Sequence, residues 1–359
     1  MLNTILYLIN LCNKMERKKY LIIYHNEDND GLFSAAIFYD YLLTKMNIAL
    51  EDFCFIGANY NMLAEFAKEN TPKKLHEDFE HIIMTDISFN DPNYMKGLWK
   101  EFGYDFIWCD HHAPIIKASF EKHFDDVPGV RDTSRSAILC AWKYLYDPFD
   151  EGYNEKKVPE LFRILSAWDS WSYEREGYDF DYVRNVNKGA TDSYNLDLGL
   201  IKRVVNQVRS AFESNLEDYF IDELYECGKY LNEYDDKVMA NIIKTSGDTS
   251  WKIMTGMLGD SPTWRPACAI FHQGPSNSTM FKSVIDTCAN GIVFKHEKNG
   301  NWVVSLYNID SEGKHWNNDY FHCGEFMKEH YKGGGHSGAA GCTLTEAQFI
   351  KILKSKTLG

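Results

Sequence analysis

Residues 20–31 read YLIIYHNEDNDG, an apolar run that ends in polar and acidic side chains. The apolar half, Tyr20 to Tyr24, predicts a buried strand, and apolar residues at helical spacing from Gly31 to Lys45 predict a helix directly after it. A buried strand joined to a helix by a short loop is typical of the βαβ unit of a parallel sheet. The polar loop follows the carboxyl end of the strand, where open α/β sheets bind their ligands.

The same alternation of strand and helix continues along the first half of the chain. Further strands are predicted for Phe53 to Gly57, His81 to Thr85 and Asp105 to Cys109, and the last two are each followed directly by an aspartate. Helices are predicted for Ser134 to Tyr146 and Val158 to Trp168. The sequence therefore predicts an α/β fold with a parallel sheet and acidic residues at the carboxyl ends of its strands.

The second half of the chain changes character. Between about Tyr194 and Ala240 it is strongly helical and charged, and we expect this part to join two domains. Strands return at Ala267 to His272, Gly291 to Lys295 and Trp302 to Tyr307. A helix over Phe321 to Tyr331 then ends in a cluster of glycines.

The length and composition describe an ordinary globular protein, with 359 residues of which 44% are hydrophobic and 25% charged. We predict a parallel-sheet domain over residues 18–190, a helical linker over 191–245 and a smaller α/β domain over 246–359. The 52 acidic and 38 basic residues give a net charge of −14. Such a surface repels phosphate backbones, so we expect a short anionic substrate and not a long nucleic acid.

The cysteines and the N-terminal segment indicate in which cellular compartment the protein is expected. The nine cysteines form no pattern of paired Cys-x-x-Cys motifs, so we interpret them as reduced thiols of a cytoplasmic protein. The apolar stretch from Leu2 to Cys12 is too short to span a bilayer, and we interpret it as a helix or an extension, with Met15 as an alternative start. No membrane association is expected.

Acidic and imidazole side chains are concentrated in four places, each at the end of a predicted strand or helix. They are the loop His25 to Gly31, Asp86, the triplet Asp110-His111-His112, and Asp169, which ends the helix that contains Trp168. The carboxyl ends of neighbouring parallel strands lie close together. Mixed imidazole and carboxylate ligands suit a transition metal such as manganese better than calcium or magnesium, which prefer oxygen ligands alone.

These clusters, in this order, resemble the DHH phosphoesterase superfamily, whose name comes from the triplet found here as Asp110-His111-His112. The resemblance extends from about Tyr20 to the end of the chain. The run Gly333-Gly334-Gly335-His336, followed by Ala339-Ala340-Gly341, is similar to the signature of the DHH-associated C-terminal domain. The resemblance implies a DHH catalytic domain and a C-terminal domain that face each other across a cleft, with two manganese ions in the active site between them.

The resemblance also implies a role for each matching residue. Asp86 would be shared by two metal ligand sets, which are His25 and Asp28 for one ion, and Asp30, His111 and Asp169 for the other. Asp110 would orient its neighbours and His112 would face the scissile phosphate. The residues implied in substrate binding are Gly333, Gly334, Gly335 and His336. Two metals at such a site activate water for attack on a phosphate.

Several of these residues have a structural alternative. Arg135 lies at a predicted helix N-terminus where a second substrate phosphate would rest, but it is equally well a surface arginine. The glycine run is either a phosphate cradle or a helix stop. Trp168 and Trp171 either pack beneath the site or stack a nucleobase, and packing is the favoured interpretation.

The leading functional hypothesis is a manganese-dependent phosphoesterase that hydrolyses a short oligonucleotide, a cyclic dinucleotide or a bisphosphorylated nucleoside. The expected partner is that small nucleotide or a short single strand, with no long duplex, and a homodimer is left open. An inorganic pyrophosphatase is a second hypothesis. A catalytically inactive nucleotide-binding regulatory protein is a third, although an acidic cluster kept without metals would be costly.

Overall fold

The computed structural model describes residues 18–146, 158–214, 218–258, 261–274, 276–309, 321–335 and 338–359. The chain divides into two compact units, the first ending at Leu231 and the second running from Asn232 to Gly359. The N-terminal segment that we interpreted as a helix or extension lies outside the described residues, as does His336.

Four parallel strands form the sheet of the first unit. They are β1 (Lys18–His25), β2 (Phe53–Ala58), β3 (Phe79–Thr85) and β4 (Phe106–Cys109), and they lie in the order β2-β1-β3-β4. In β1, Ile22 belongs to one hydrophobic core whereas Leu21 and Ile23 belong to another, and all three are fully buried. A parallel sheet covered on both faces explains why the strand reads as a continuous apolar run.

Helices cover both faces of this sheet. The helices of the first unit are α1 (Asn29–Thr44), α2 (Tyr60–Glu69), α3 (Pro72–Asp78), α4 (Pro92–Phe102), α5 (Ala113–Lys122), α6 (Ala137–Tyr146), α7 (Glu160–Asp169), α8 (Phe180–Tyr194) and α9 (Leu198–Glu213). Helices α2 to α5 contribute to one core, and α1 and α6 to α9 contribute to the other. The predicted α/β class with a parallel sheet is confirmed.

The strand order places a topological switch point at the centre of the sheet. From β1 the chain crosses through α1 to β2 on one side, and it then returns to β3 on the other side of β1. Crossover connections leave a crevice at the carboxyl ends of the two strands where the order reverses. His25 ends β1 and Asp86 follows β3, so both residues lie at that crevice.

A 29-residue helix, α10 (Asp218–Ser246), runs past the division between the units and accounts for much of the predicted helical linker. Its contact with α8 is close. A Cβ atom at Gly228 would lie 1.7 Å from the carbonyl oxygen of Asn185, and one at Gly189 would lie 1.9 Å from that of Leu224. The two helices therefore approach each other through glycines.

The second unit contains a seven-stranded sheet with two small helices. Its strands are β5 (Asp248–Leu258), β6 (Ser261–Phe271), β7 (Asn290–His296), β8 (Trp302–Asn308), β9 (Gly334–Gly335), β10 (Ala339–Leu344) and β11 (Thr357–Leu358), in the order β11-β5-β6-β7-β8-β10-β9. The helices are α11 (Cys323–Tyr331) and α12 (Glu346–Ser355). The three predicted strands correspond to β6, β7 and β8, whereas β5 was not predicted as a separate strand.

None of the helices in the described ranges is long and apolar enough to cross a membrane. The eight cysteines that the structure describes are free thiols, and seven of them are buried.

We expect the substitution Gly228→Ala to lower the free energy of unfolding by about 1–3 kcal/mol, because the new methyl group must displace α8. Helix propensity alone would favour alanine by about 1 kcal/mol, so the two effects have opposite signs. Chemical denaturation of the variant measures the change. The exposed residue Glu226 of the same helix provides the control Glu226→Ala, and a Gly228→Ala protein as stable as the parent would contradict the close packing.

Candidate metal centre

The ends of three strands supply the acidic and imidazole side chains of the site. His25 ends β1, Asp86 follows β3, and Asp110 and His111 follow β4. Asp86 is 2% exposed, and its backbone has a left-handed φ of 58°. Its N–H donates to the carbonyl oxygen of Cys109, 3.0 Å away. A left-handed residue other than glycine costs about 1–3 kcal/mol and is retained where its surroundings fix it, often at a functional site.

The first group of side chains lies around His25. Its Nδ1 atom is 2.8 Å from Asp28 Oδ2 and 3.5 Å from Asp86 Oδ2. The other carboxylate oxygen of Asp28 accepts a 3.0 Å hydrogen bond from the N–H of Gly31 at the start of α1. Asp28 is therefore the N-cap of α1, and it also faces the imidazole of His25.

The second group lies around His111, whose Nε2 atom faces three carboxylates from three different elements. It is 3.7 Å from Asp30 Oδ2, 3.2 Å from Asp86 Oδ1 and 3.3 Å from Asp169 Oδ2. The Asp86 and Asp169 oxygens are buried, and neither contact has the direction of a hydrogen bond, so both oxygens lack a hydrogen-bond partner. The His111 nitrogen and the three carboxylate oxygens are atoms of the kind that bind a cation. Two of these oxygens have no hydrogen-bond partner in the chain, which fits a role as ligands.

Three combinations of side chains have ligand atoms within 4.8 Å of one another among the described residues. They are His25 with Asp28 and Asp86; Asp30 with His111 and Asp169; and Asp86 with His111 and His112. The first two combinations are the predicted ligand sets, and Asp86 touches both groups. The structure thus brings all six predicted ligands together, while their binding of metal stays a prediction.

The charges of this cluster are out of balance without a cation. Burial, together with the charges of Asp30 and Asp28, raises the pKa of Asp86 well above its usual value. Burial and Asp30 raise the pKa of Asp169 in the same way. Burial acts to lower the pKa of His25, but its contacts with Asp28 and Asp86 outweigh burial and raise that pKa to about 11. The metal-free cluster therefore holds protons that a metal ion would replace.

Asp110 is completely buried and organises the triplet that it begins. Its Oδ1 atom accepts hydrogen bonds from the backbone N–H groups of His111 and His112, at 2.7 and 3.1 Å, and lies 2.7 Å from the Nδ1 atom of His112. Its Oδ2 atom accepts a 3.0 Å bond from Nε1 of Trp108, one of the largest buried side chains. Both oxygens have hydrogen-bond partners among the residues that Asp110 is predicted to orient, and the orienting role itself stays a prediction.

Asp30 differs from Asp86 and Asp169 because a helix N-terminus supplies hydrogen bonds to both of its carboxylate oxygens. Its two oxygens accept hydrogen bonds from the N–H groups of Ala137 and Ile138, at 2.8 and 2.9 Å. Helix α6 begins at Ala137, three residues later than the predicted start at Ser134. These N–H groups are not free for a substrate phosphate, so the substrate-binding role of Arg135 stays a prediction without that support.

The glycine cluster lies in the second unit, and packing accounts for two of its members. Gly333 donates a 2.9 Å hydrogen bond to the carbonyl oxygen of Met327 at the end of α11, so it is part of a helix stop. A Cβ at Gly333 or Gly335 would lie 2.2 Å or 2.5 Å from a carbonyl oxygen of the adjacent strand β10, whereas a Cβ at Gly334 would meet nothing within 4 Å. Packing does not account for Gly334, whose contact with a phosphate stays a prediction, and His336 lies outside the described residues.

Trp168 and Trp171 pack with each other and with Phe180. The two indole rings are 5.5 Å apart, and Phe180 lies 5.9 Å from Trp168 and 6.5 Å from Trp171. Trp171 is 39% exposed, and Trp168 lines a cavity of about 170 Å³ together with Asp169. The favoured interpretation of packing agrees with these contacts.

One residue of the site, Tyr60, was not predicted. Its ring lies 6.2 Å from that of His25 and 6.0 Å from that of His112, which it meets edge-on. Burial, with the charges of Asp110, Asp86 and Asp28, raises the pKa of its hydroxyl, so it stays protonated. Tyr60 follows the carboxyl end of β2, and the strand-end rule that located the other residues would also have located it.

Comparison with known proteins gives distant likenesses. No family model matches the chain. A relative, the uncharacterized protein R106 of Acanthamoeba polyphaga mimivirus, is 22% identical over 226 residues, which is 62% of this chain and 46% of that protein. The chain thus matches about half the length of this curated relative.

Two solved structures are similar over most of the chain. The pGpG-specific phosphodiesterase PggH of Vibrio cholerae has a TM-score of 0.46 and 12% identity, covering 94% of this chain and 97% of its own. Exonuclease RecJ bound to manganese has a TM-score of 0.45 and 15% identity, covering 98% and 92%. The motif residues of the first unit converge at one edge of the sheet, as the resemblance to the DHH superfamily implies, and membership of that superfamily stays a prediction.

We expect Asp86→Asn and Asp30→Asn to have opposite effects on the stability of the metal-free protein. The raised pKa of Asp86 means that its ionised form destabilises the folded chain at neutral pH, and that stability returns as the pH falls through the raised value. Asparagine imitates the protonated form, so Asp86→Asn should raise the free energy of unfolding. Asp30→Asn replaces a carboxylate that caps α6 and should lower it by about 1–2 kcal/mol.

Denaturation in the presence of a chelator measures both variants. Addition of Mn²⁺ should raise the Tm of the parent protein and leave that of Asp86→Asn unchanged, because binding to the folded state stabilises it. An Asp86→Asn protein that Mn²⁺ stabilises as much as the parent would contradict the assignment of Asp86 to the centre.

Proposed function

We propose that this chain, with the motifs of a DHH phosphoesterase, is a metal-dependent hydrolase of phosphoester bonds in small nucleotides. The observation that carries the proposal is the convergence of three carboxylates on the Nε2 atom of His111, with buried oxygens of Asp86 and Asp169 left without hydrogen bonds. Such a cluster is costly to bury unless cations neutralise it. The mixture of imidazoles and carboxylates favours manganese among the divalent ions.

The donor set fits two ions. His25 and Asp28 would hold one ion, and Asp30, His111 and Asp169 would hold the other, with Asp86 between the two groups. When bound, the two ions supply activation of water and neutralisation of charge on the phosphate under attack.

The chain itself supplies an acid at His112. Asp110 Oδ1 lies 2.7 Å from His112 Nδ1 and fixes the tautomer with the proton on that atom, so Nε2 is available to the substrate. Burial acts to lower the pKa of His112, but Asp110 and the charge of Asp86 outweigh it and raise the pKa. A proton held at Nε2 near neutral pH is suited to transfer to the leaving oxygen of a phosphoester.

The size and charge of the chain favour short substrates. The net charge of −14 opposes long-range attraction of a nucleic acid strand. Positive charge at the centre would then come from the ions and the imidazoles. We propose that Arg135 contacts a further phosphate of the substrate.

We expect the purified protein to hydrolyse dinucleotides or bisphosphorylated nucleosides when Mn²⁺ is present and to lose activity with a chelator. His112→Gln should lower kcat by about 10²- to 10⁴-fold, the usual contribution of a general acid, and Asp86→Asn should abolish turnover. The control is Asp105→Asn, because Asp105 is an exposed carboxylate that pairs with His81 away from the centre. Release of inorganic phosphate and of nucleotide products measures the rates.

The alternatives give different results in the same assay. A pyrophosphatase would hydrolyse inorganic pyrophosphate in preference to every nucleotide tested. A regulatory protein would bind nucleotide with no turnover in the parent protein. Turnover that persists without metal, or an active Asp86→Asn variant, would contradict the proposed centre.

A further inference from the structure

Asn29 lies between two of the proposed metal ligands, Asp28 and Asp30, and is the first residue of α1. Its side chain is 3% exposed, although asparagine is usually found at the protein surface. None of the roles proposed for the cluster involves this residue. A buried polar side chain at this position therefore needs an explanation from its contacts.

Two residues of α8, Asn187 and Thr191, hold the amide group of this side chain, and we call them the α8 clamp. The Nδ2 atom of Asn29 donates to Oδ1 of Asn187 and to Oγ1 of Thr191, each 2.9 Å away, and also to the carbonyl oxygen of Asn187 at 3.2 Å. The hydroxyl of Thr191 donates to that same carbonyl oxygen, 2.9 Å away, and so acts as an acceptor toward Asn29. The clamp residues follow Asn29 by 158 and 162 positions, so no local pattern indicates this contact.

The other end of the Asn29 amide is not satisfied. Its Oδ1 atom is buried and has no hydrogen-bond partner among the described residues. A buried carbonyl oxygen in this state costs free energy of folding, and an apolar side chain would avoid the cost. The chain thus gives up some stability to hold an amide at this position, which is typical of a functional site.

The two flanking carboxylates project from the stretch of chain that the clamp holds. Oδ1 of Asp28 accepts a hydrogen bond from the N–H of Gly31, and both oxygens of Asp30 accept bonds from the N-terminus of α6. These bonds can persist only while the backbone between the two carboxylates stays in place. Asn29 is the residue in the middle, and its contacts tie that backbone to α8.

Helix α8 is a firm support for the clamp. Gly189 lies between the two clamp residues, and a Cβ atom there would lie 1.9 Å from the carbonyl oxygen of Leu224 in α10. Val186 and Ala190 of the same helix are fully buried in the hydrophobic core of the first unit. The clamp therefore belongs to a helix that close packing holds in position.

We propose that Asn187 and Thr191 are positioning residues of the metal centre, which act through Asn29 to hold Asp28 and Asp30 in place for the ions. This proposal rests on the proposed function, because the ions are those of the proposed centre. The three amide and hydroxyl residues line the same cavity of about 170 Å³ as the two carboxylates. Residues that orient metal ligands without touching the metal typically change metal affinity by about 10- to 100-fold when they are removed.

The first measurement is the affinity for Mn²⁺, from an EPR titration of the free ion. Asn29→Ala removes all three hydrogen bonds, and we expect it to weaken Mn²⁺ binding by about tenfold. Thr191→Val removes one acceptor and should weaken binding less, whereas Thr191→Ser keeps the hydroxyl and should bind Mn²⁺ like the parent protein. Melting curves verify that each variant is folded during the titration, so a loss of stability alone leaves the affinity unchanged.

A matched control comes from another threonine. Thr245 of α10 is exposed, and its hydroxyl donates to the carbonyl oxygen of Asn241, four residues earlier, as that of Thr191 does to Asn187. Thr245→Val therefore removes an equivalent bond within a helix without touching Asn29. We expect it to leave the affinity for Mn²⁺ unchanged.

The second measurement needs no metal. Hydrogen exchange in the presence of a chelator follows the N–H of Gly31, whose partner is Asp28. We expect Asn29→Ala to remove the protection of this N–H from exchange and Thr191→Val to reduce it. Thr191→Ser and Thr245→Val should keep the protection of the parent protein.

The two measurements separate failure of this proposal from failure of the proposed function. Mn²⁺ affinity that is unchanged in both Asn29→Ala and Thr191→Val, or Gly31 protection that is unchanged in both, would overturn the positioning role and leave the proposed function intact. A parent protein that binds no Mn²⁺ would reject the proposed function. In that protein the exchange of Gly31 would still decide whether the clamp holds Asp28.

Discussion

The structure of the first unit depends on how it accommodates like charges at one edge of a parallel sheet. Asp28, Asp30, Asp86 and Asp169 lie in or beside a space where their oxygens come within a few ångströms of His25 and His111. Carboxylates at such distances repel one another, and burial increases the cost. Without metal, burial and the neighbouring carboxylates raise the pKa values of Asp86 and Asp169, because their ionised forms are unfavourable there. Divalent cations would remove it, and the same cations would make the site reactive.

The fold satisfies the carboxylates unequally, and the inequality separates their roles. The N-terminus of α6 satisfies both oxygens of Asp30, and Trp108 with the following backbone satisfies those of Asp110. The chain itself therefore fixes the positions of Asp30 and Asp110. Asp86 and Asp169 each keep one buried oxygen without a hydrogen bond, as the proposed contact with a cation requires.

Much of this site could be predicted from the sequence because it follows a local rule. A polar residue directly after a buried apolar run lies at a strand end, and this rule located His25, Asp86 and Asp110. Features that depend on distant partners could not be predicted. Helix α6 starts at Ala137 because Asp30, 107 positions earlier in the chain, accepts hydrogen bonds from its first N–H groups. The sequence around Ser134 gives no indication of this distant partner.

In the proposed centre two divalent ions bind at the edge of the sheet, and Asp86 is essential to the binding of both. Equilibrium dialysis with Mn²⁺, followed by metal analysis of the protein, counts the ions directly. We expect two Mn²⁺ ions per chain in the parent protein and the loss of both from Asp86→Asn at the same free Mn²⁺ concentration. A parent protein that retains no metal, or an Asp86→Asn variant that retains two ions, would contradict it.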